Sequence, residues 1–176
     1  MNIETKRLRI TRLTLDMAES VHLNSLDENN RRFVPDEVFE TPAAAKKTVA
    51  VLISYYGRAE KPQVYAILLR ESGQQIGHVQ AVPIKNGWEI GYHIAKAYTQ
   101  KGYATEAMQA FLPEIMQRLG VAEIHGICHA DNIASRKVLE NCGFTLSQSQ
   151  QTLFQRICGR LTFMRRWQMR SYLLRI

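Results

Sequence analysis

The sequence has few cysteines and no long apolar run. Its 176 residues include three cysteines, Cys128, Cys142 and Cys158, and no two of them form a CxxC pair. An odd and scattered set of this kind argues against a disulfide framework. No apolar stretch approaches the roughly 20 residues that span a bilayer, and the start lacks the apolar segment of a secretion signal. We therefore expect a cytoplasmic protein that is not inserted in a membrane.

Acidic side chains are missing from residues 151–176, and this shortage accounts for most of the net charge of +7. The segment contains six arginines, whereas residues 1–150 hold 17 basic and 16 acidic side chains. Because the body of the chain is electrically balanced, a nucleic-acid partner can be argued only from this basic tail.

Strand and helix patterns alternate along the rest of the chain. Strands are predicted over residues 7–11, 64–69, 75–83, 88–94, 122–130 and 144–146. Helices are predicted to start at a capping box at Asp16 and at Thr41-Pro42, and to cover 102–118 and 133–141. The polar stretch 29–40 is predicted to be a loop or a broken helix. Hairpins followed by strand–helix–strand units predict a single α/β (α+β) domain, a mixed sheet flanked by helices.

A glycine-containing loop precedes the long predicted helix and reads Gln100-Lys101-Gly102-Tyr103-Ala104-Thr105. The first amides of a helix lack intrahelical acceptors and carry a partial positive charge. Gly102 and Ala104 would let a pyrophosphate approach these amides, and Lys101 adds a charge. An ordinary glycine at a helix start is the alternative. The loop is not a Walker motif, because the glycine spacing and the Lys-Ser/Thr pair are missing.

Three segments resemble the GNAT N-acetyltransferases when they are taken together with this loop. The first is Trp88-Glu89-Ile90-Gly91-Tyr92-His93-Ile94. The second has two parts, Asn132-Ile133-Ala134-Ser135 and then Val138-Leu139-Glu140-Asn141-Cys142-Gly143-Phe144. The third is the opening, Glu4-Thr5-Lys6-Arg7-Leu8-Arg9-Ile10. The opening is similar to the RimJ/RimL-like branch, which acetylates protein N-termini. The resemblance covers residues 1–150 as the GNAT core. Residues 151–176 would add a C-terminal strand and a basic tail to the same domain.

The resemblance implies a GNAT-like acyl-CoA N-acyltransferase fold with acetyl-CoA as co-substrate and no metal. The loop would bind the pyrophosphate, and the backbone of Tyr92, His93 and Ile94 would part from its neighbour and pair with the pantetheine arm. Asn132 would bind the same arm near the thioester, and it also fits a plain helix N-cap. The family's phosphate motif usually begins with Arg or Gln, whereas Thr99 stands here.

Acetyl transfer needs a neutral amine, a polarised carbonyl and a proton for the leaving thiolate. The resemblance implies Glu89 as the base, acting through a water, and Ser135 as the proton donor. A solvated strand-edge charge is the alternative for Glu89, and a first-turn hydroxyl that bonds the backbone is the alternative for Ser135. The tyrosines Tyr92, Tyr98 and Tyr103 are weaker acid candidates that fit packing better.

The histidines and cysteines do not suggest a metal centre. On a strand, His125 and His129 share one face while Cys128 points to the other, so three ligands do not converge. Cys142 is expected to pack, because a nucleophilic thiol needs an activating neighbour.

Acceptor binding is expected at the polar stretch and near the last hairpin. Arg31, Arg32 and Phe33 are the candidate substrate-binding residues, with the arginines holding an acidic group. Asp36 or Glu37 would hold a cationic one. A solvated loop of mixed charge is the alternative.

The tail leaves several interpretations open. Residues 153–163 are the candidate final strand, and residues 165–176 show neither clean alternation nor a helical stripe. The second segment could pack into the sheet or against a second subunit of a homodimer, fray, or grip RNA through arginines, Trp167 and Tyr172. The rival to the enzyme is therefore a catalytically reduced CoA-fold module that binds RNA or the ribosome through this tail.

Overall fold

The computed structural model describes residues 1–152 and 167–175. Their strands are β1 Asn2–Glu4, β2 Leu8–Arg12, β3 Gln63–Leu69, β4 Gln75–Ile84, β5 Gly87–Ile94, β6 Glu123–His129, β7 Thr145–Thr152 and β8 Trp167–Arg175. Their α-helices are α1 Ala18–Ser25, α2 Glu28–Phe33, α3 Pro42–Ser54, α4 Tyr103–Leu119 and α5 Ile133–Asn141. Short 3-10 turns occur at Leu15–Met17, Pro35–Glu37 and Lys96–Tyr98.

The eight described strands form one mixed sheet in the order β1-β2-β3-β4-β5-β6-β8-β7. Neighbouring strands are antiparallel except for β5 and β6, which are parallel. The prediction of a mixed α/β domain is confirmed. A parallel pair requires a crossover, and here α4 supplies it between β5 and β6.

Strand β3 is buried on both faces, as its unbroken apolar run predicted. Its residues Val64, Ala66 and Leu68 pack with residues of α1 and α3. Tyr65 and Ile67 belong to a larger core that includes α4 on the opposite face. The sheet is therefore covered by α1 and α3 on one side and by α4 on the other.

Helix α4 packs through an apolar stripe and ends at Gly120. Its buried residues are Ala107, Met108, Phe111, Leu112, Ile115 and Met116. Pro113 lies on the exposed side, and the helix continues through it. Gly120 adopts a left-handed conformation with φ of 65°, the usual glycine C-cap.

The predicted start of α3 depends on neighbouring residues in the sequence and is confirmed. The Thr41 hydroxyl accepts a hydrogen bond from the Ala44 amide at 3.2 Å, and Pro42 opens α3. The stretch 29–40 is a broken helix, made of α2 and the 3-10 turn at Pro35–Glu37. The capping box predicted at Asp16 was wrong. A 3-10 turn runs directly into α1 there, so no extended residue caps the helix through its side chain.

The final strand lies later in the chain than predicted. The candidate strand 153–163 falls outside the described residues, whereas Trp167–Arg175 forms β8 and pairs with β6 on one edge and β7 on the other. Packing in the sheet is thus the correct interpretation for this part of the tail. The Tyr172 side chain is buried in the core, and Arg175 forms an ion pair with Glu123 at 2.7 Å. The buried Tyr172 ring is therefore not available for stacking on a base. No helix within the described ranges is long and apolar enough to cross a membrane.

The burial of Tyr172 yields a stability prediction. Tyr172→Ala should lower the free energy of unfolding by about 3–5 kcal/mol, because it leaves a cavity in the core beside β8, the strand that lies between β6 and β7 in the sheet. Arg175→Ala on the same strand should cost at most about 1 kcal/mol, since its ion pair is exposed. Urea unfolding followed by circular dichroism measures both. Equal midpoints for the two variants would contradict the placement of β8.

Candidate active site

The pairing of β5 with β6 ends early and opens a gap in the sheet. The parallel ladder joins Glu89 to His125 and Ile90 to Gly126. Beyond this point β5 continues to Ile94 and β6 to His129, with no further pairing between these two strands. The other edge of β5 stays bonded to β4 throughout. Backbone groups at 91–94 therefore line the gap and are available to an extended ligand.

The predicted phosphate loop lies at the open end of this gap. After β5 the chain makes the 3-10 turn and passes through Gln100 at φ of 62° and Gly102 at φ of 79° before α4 begins. Gly102 is the N-cap and has no side chain to occupy the first amides of the helix. Those amides, at Tyr103, Ala104 and Thr105, are therefore open to an anion.

The side chains of Thr99 and Lys101 donate hydrogen bonds to backbone carbonyls of the preceding 3-10 turn. Lys101 Nζ donates to the Ala97 carbonyl at 3.1 Å and lies 5.4 Å from the centre of the Tyr98 ring. The Thr99 hydroxyl, at the position where the family motif has Arg or Gln, donates to the Lys96 carbonyl at 2.9 Å. Thr99 thus stabilises the 3-10 turn, and the loop keeps its shape without a long side chain there.

Tyr92 connects β5 to the start of α5. Its hydroxyl donates to the Ser135 carbonyl at 2.8 Å and lies 2.8 Å from Ser135 Oγ. Burial raises the pKa of Tyr92, against the opposing hydrogen bond from Ser135, so the phenol stays protonated. Asn132 Oδ1 accepts from the Ser135 amide at 3.0 Å, which is the N-cap geometry. The tyrosine is therefore a hydrogen-bonding partner of the candidate proton donor, and not only a packing residue.

Because side chains alternate along β5, its two faces carry different residues. Ile90 is buried in the core that contains α4, and Trp88, Tyr92 and Ile94 pack against that core. Glu89, Gly91 and His93 consequently face the opposite side. Each is directly across from a residue of β4, in the pairs Glu89–Val82, Gly91–Gln80 and His93–His78.

His93 is held by α2. Its Nε2 lies 3.3 Å from Asp27 Oδ2 and 3.1 Å from Asn30 Nδ2. Burial opposes ionisation of Asp27, but hydrogen bonds from His93 and from the Asn30 amide outweigh it and lower its pKa. Asn30 is buried and also donates to the Ser25 carbonyl. These contacts fix the short α2 over the face of β5 that carries Glu89.

His78 and Glu37 extend the same polar cluster along β4. The His78 and His93 rings lie 5.7 Å apart, and His78 Nε2 is 3.7 Å from Glu37 Oε2. Gln80 Nε2 donates to Glu37 Oε1 at 3.1 Å. Burial lowers the pKa of His78 to about 4, with Glu37 opposing and His93 assisting the shift. His78 is therefore neutral at pH 7.

The predicted acceptor residues lie further out. Arg31 forms an exposed ion pair with Glu40, and the Arg32 guanidinium lies 4.9 Å from the centre of the Phe33 ring. The Phe33 ring lies 5.7 Å from that of His129, near the end of β6. Arg31 and Arg32 thus lie on the outer surface, and only Phe33 approaches the open end of the gap.

Sequence reasoning missed Asp27, Asn30 and His78. One signal was available, because residues equally distant from the hairpin turn at Lys85-Asn86 face each other, and His78 and His93 are such a pair. The contacts of α2 with β5 had no comparable signal, since 63 positions separate Asn30 from His93.

The cysteines and the other histidines form no metal centre within the described residues, where no group of three potential ligands was found. Burial raises the pKa of the Cys142 thiol to about 11, so it is protonated and unreactive at neutral pH. This agrees with the packing role predicted for Cys142.

The sequence matches the family described as "Acetyltransferase (GNAT) domain" over residues 7–145. The N-acetyltransferase YnaD of Bacillus subtilis, which is described as uncharacterized, is 29% identical over 145 residues, covering 81% of this chain and 82% of that protein. The chain therefore belongs to the GNAT acetyltransferase family and is an acetyl-CoA-dependent N-acetyltransferase.

Solved structures show the same fold. A GNAT-family acetyltransferase from Bacillus anthracis superposes with a TM-score of 0.83 at 22% identity, covering 99% of this chain and 98% of that one. RimL, a ribosomal L7/L12 alpha-N-protein acetyltransferase solved in complex with coenzyme A, gives 0.81 at 17% identity, covering 100% and 98%. At these identities the likeness concerns the fold.

The partly buried His78 predicts a pH-dependent stability. Its folded pKa of about 4 lies below the unfolded value of about 6.5, so the unfolded chain takes up the proton first as the pH falls. The stability that neutral His78 contributes is complete above about pH 6.5 and is lost between about 6.5 and 4, by roughly 1–3 kcal/mol.

Urea unfolding at several pH values measures this loss. His78→Gln should flatten the dependence between pH 7 and 4.5. His22→Gln, which keeps His78, is the control and should retain the wild-type slope. Identical slopes for wild type and His78→Gln would contradict the assignment.

Proposed function

We propose that the protein acetylates a primary amine by direct attack within a ternary complex. Acetyl-CoA would lie in the gap between β5 and β6, and the amine would approach from the face that α2 covers. The observation that carries the proposal is the arrangement of three features at this gap. Its last paired residues include Glu89, its open end meets the phosphate loop, and Ser135 lies beside it.

The cofactor-binding residues follow the course of the gap. The pyrophosphate would be bound at the start of α4 by Gln100, Lys101, Gly102, Tyr103, Ala104 and Thr105. The pantetheine arm would pair with the free backbone edge of Tyr92, His93 and Ile94. Asn132 uses its side-chain oxygen to cap α5, so its amide nitrogen would be the group that reaches the arm.

The reaction balances without a metal or a redox partner. The amine nitrogen attacks the thioester carbonyl carbon, an N–C bond forms and the C–S bond breaks, leaving an amide and coenzyme A. One proton must leave the amine, and one must reach the departing sulfur. The β5 backbone N–H groups that face the gap are suited to stabilise the carbonyl oxygen as it gains charge.

Glu89 would remove the amine proton, acting through a water. It faces the acceptor side, at the position where the β5–β6 ladder ends. An α-amine with a pKa near 8 demands little of this base, whereas a lysine-type amine with a pKa of about 10.4 demands more. A protein N-terminal amine or a weakly basic small amine is therefore the acceptor that a single carboxylate serves best.

Ser135 would supply the proton to the thiolate, with Tyr92 behind it. Because the Tyr92 proton goes to the Ser135 carbonyl, the tyrosine oxygen can accept from Ser135 Oγ before the reaction, and the Ser135 hydroxyl would turn its proton to the sulfur for transfer. Because burial raises the pKa of Tyr92, the phenol would keep its proton and act as a positioning partner, and Ser135 would regain its proton from solvent after transfer.

The acceptor face is acidic, and this favours a cationic amine. Asp27, Glu37 and Glu89 share it with neutral His78. The name of the structural neighbour RimL, which refers to a protein α-amine, supports an N-terminal acceptor for this chain also. Arg31, Arg32 and Phe33 would then contact the acceptor beyond its first residue.

The catalytic assignments predict a distinct kinetic pattern. Glu89→Gln should lower kcat by roughly 10²-fold or more, and Ser135→Ala by about tenfold or more, because each removes a proton-transfer group. Both should leave the Kd for acetyl-CoA nearly unchanged. Calorimetric titration gives the Kd, and detection of free thiol across a panel of peptides and small amines gives the rate.

Glu114→Gln is the control for Glu89→Gln, because Glu114 is exposed on α4, away from the gap. It should behave as wild type. Full activity in both catalytic variants would disprove the assigned roles, and a wild-type protein that does not bind acetyl-CoA at high micromolar concentration would disprove the proposed function.

A further inference from the structure

The carboxylate of Glu106, in the first turn of α4, is bonded to the turn between β1 and β2. It accepts from Thr5 Oγ1 at 2.7 Å, from the Arg7 amide at 2.9 Å and from Arg7 Nε at 2.7 Å. A second guanidinium nitrogen of Arg7 lies 2.7 Å from Glu106 Oε2. Two guanidinium nitrogens of Arg7 thus converge on Oε2, while Oε1 accepts from the Thr5 hydroxyl and the Arg7 amide, and these charge-assisted bonds fix the orientation of the guanidinium.

The same guanidinium also touches the phosphate loop from behind. Arg7 Nη1 donates to the Lys101 carbonyl at 2.9 Å, and the Arg7 side chain lies 4.4 Å from the centre of the Tyr103 ring. Its Nη2 is 3.5 Å from the position that a Cβ on Gly102 would occupy. One side chain therefore contacts Lys101 and Tyr103 and lies beside Gly102 between them.

This contact sets the direction of an amide that the pyrophosphate needs. The Lys101 carbonyl and the Gly102 N–H belong to one peptide plane and point in opposite directions. When Arg7 holds the carbonyl on its own side, the N–H must point to the other. The loop includes left-handed Gln100 and Gly102, a conformation that is costly to maintain without such support.

The negative charge of Glu106 requires a neutralising partner near the phosphate loop. Burial opposes its ionisation, but hydrogen bonds from Thr5 and from Arg7 outweigh burial and lower its pKa, so it is charged. A bare carboxylate in the first turn would weaken the attraction of this helix end for a phosphate. Arg7 neutralises it while using it as an anchor.

We infer that Arg7 is a positioning residue for coenzyme A: anchored on Glu106 and Thr5, it orients the phosphate loop from the side opposite the ligand. The inference rests on the proposed placement of the pyrophosphate at this loop. Arg7 acts through the geometry of its fork and not through charge alone, so Lys cannot replace it.

Calorimetric titration with coenzyme A tests the inference without knowledge of the acceptor. Arg7→Gln should raise the Kd about tenfold while the binding stoichiometry stays at one site per chain. A merely structural role would instead reduce the stoichiometry or the unfolding temperature and leave the Kd of the folded fraction unchanged. Arg9→Gln, an exposed arginine on the same strand, is the matched control and should bind as wild type.

Two further variants separate geometry from charge. Arg7→Lys keeps the charge but loses the fork, so its Kd should rise nearly as much as that of Arg7→Gln. Glu106→Gln should also raise the Kd, because it loosens the anchor. If Arg7 acted by charge alone, Arg7→Lys would bind as wild type and Glu106→Gln would bind more tightly, and either result would overturn the inference.

The outcome also separates this inference from the proposed function. A wild-type protein that does not bind coenzyme A would defeat the proposed function itself. A wild-type protein that binds, with Arg7→Gln binding equally well, would defeat only the role of Arg7.

Discussion

The early end of the β5–β6 ladder is the constraint on which the rest of the site depends. Two parallel strands pair at Glu89–His125 and Ile90–Gly126 and then separate, although both continue. An unpaired strand edge inside a sheet is costly unless a ligand or water satisfies it. Here the free edge of β5 runs toward an open helix start at Gly102, so a linear ligand with an anionic end matches the gap along its length.

Beside this gap, side chains of β5 alternate between the two faces of the sheet, so neighbouring residues reach different helices. Tyr92 points to the side of α4 and α5 and reaches Ser135, whereas Glu89 and His93 point to the side of α2. Ser135 and Glu89, the proposed proton donor and base, therefore lie on opposite sides of β5. Arg7 and the residues near it act on a third feature, the conformation of the loop at the end of the gap.

Prediction from sequence succeeded where the determining contacts are short in range. The Thr41 cap of α3, the Asn132 cap of α5 and the left-handed Gly120 each involve residues within a few positions of one another. It failed at the final strand, because residues 167–175 show no clear alternation. Their strand conformation depends on β6 and β7, which pair with both edges of the segment.

The sequence by itself determined the class of fold, because motifs on adjacent elements carry that information. The roles of the phosphate loop, of Glu89 and of Ser135 also came from the sequence and stay predictions. The tertiary structure alone decided what surrounds them. Asn30 meets His93 across 63 positions, and Arg7 meets Glu106 across 99. No local periodicity records such contacts, since they arise only when the fold brings distant segments of the chain together.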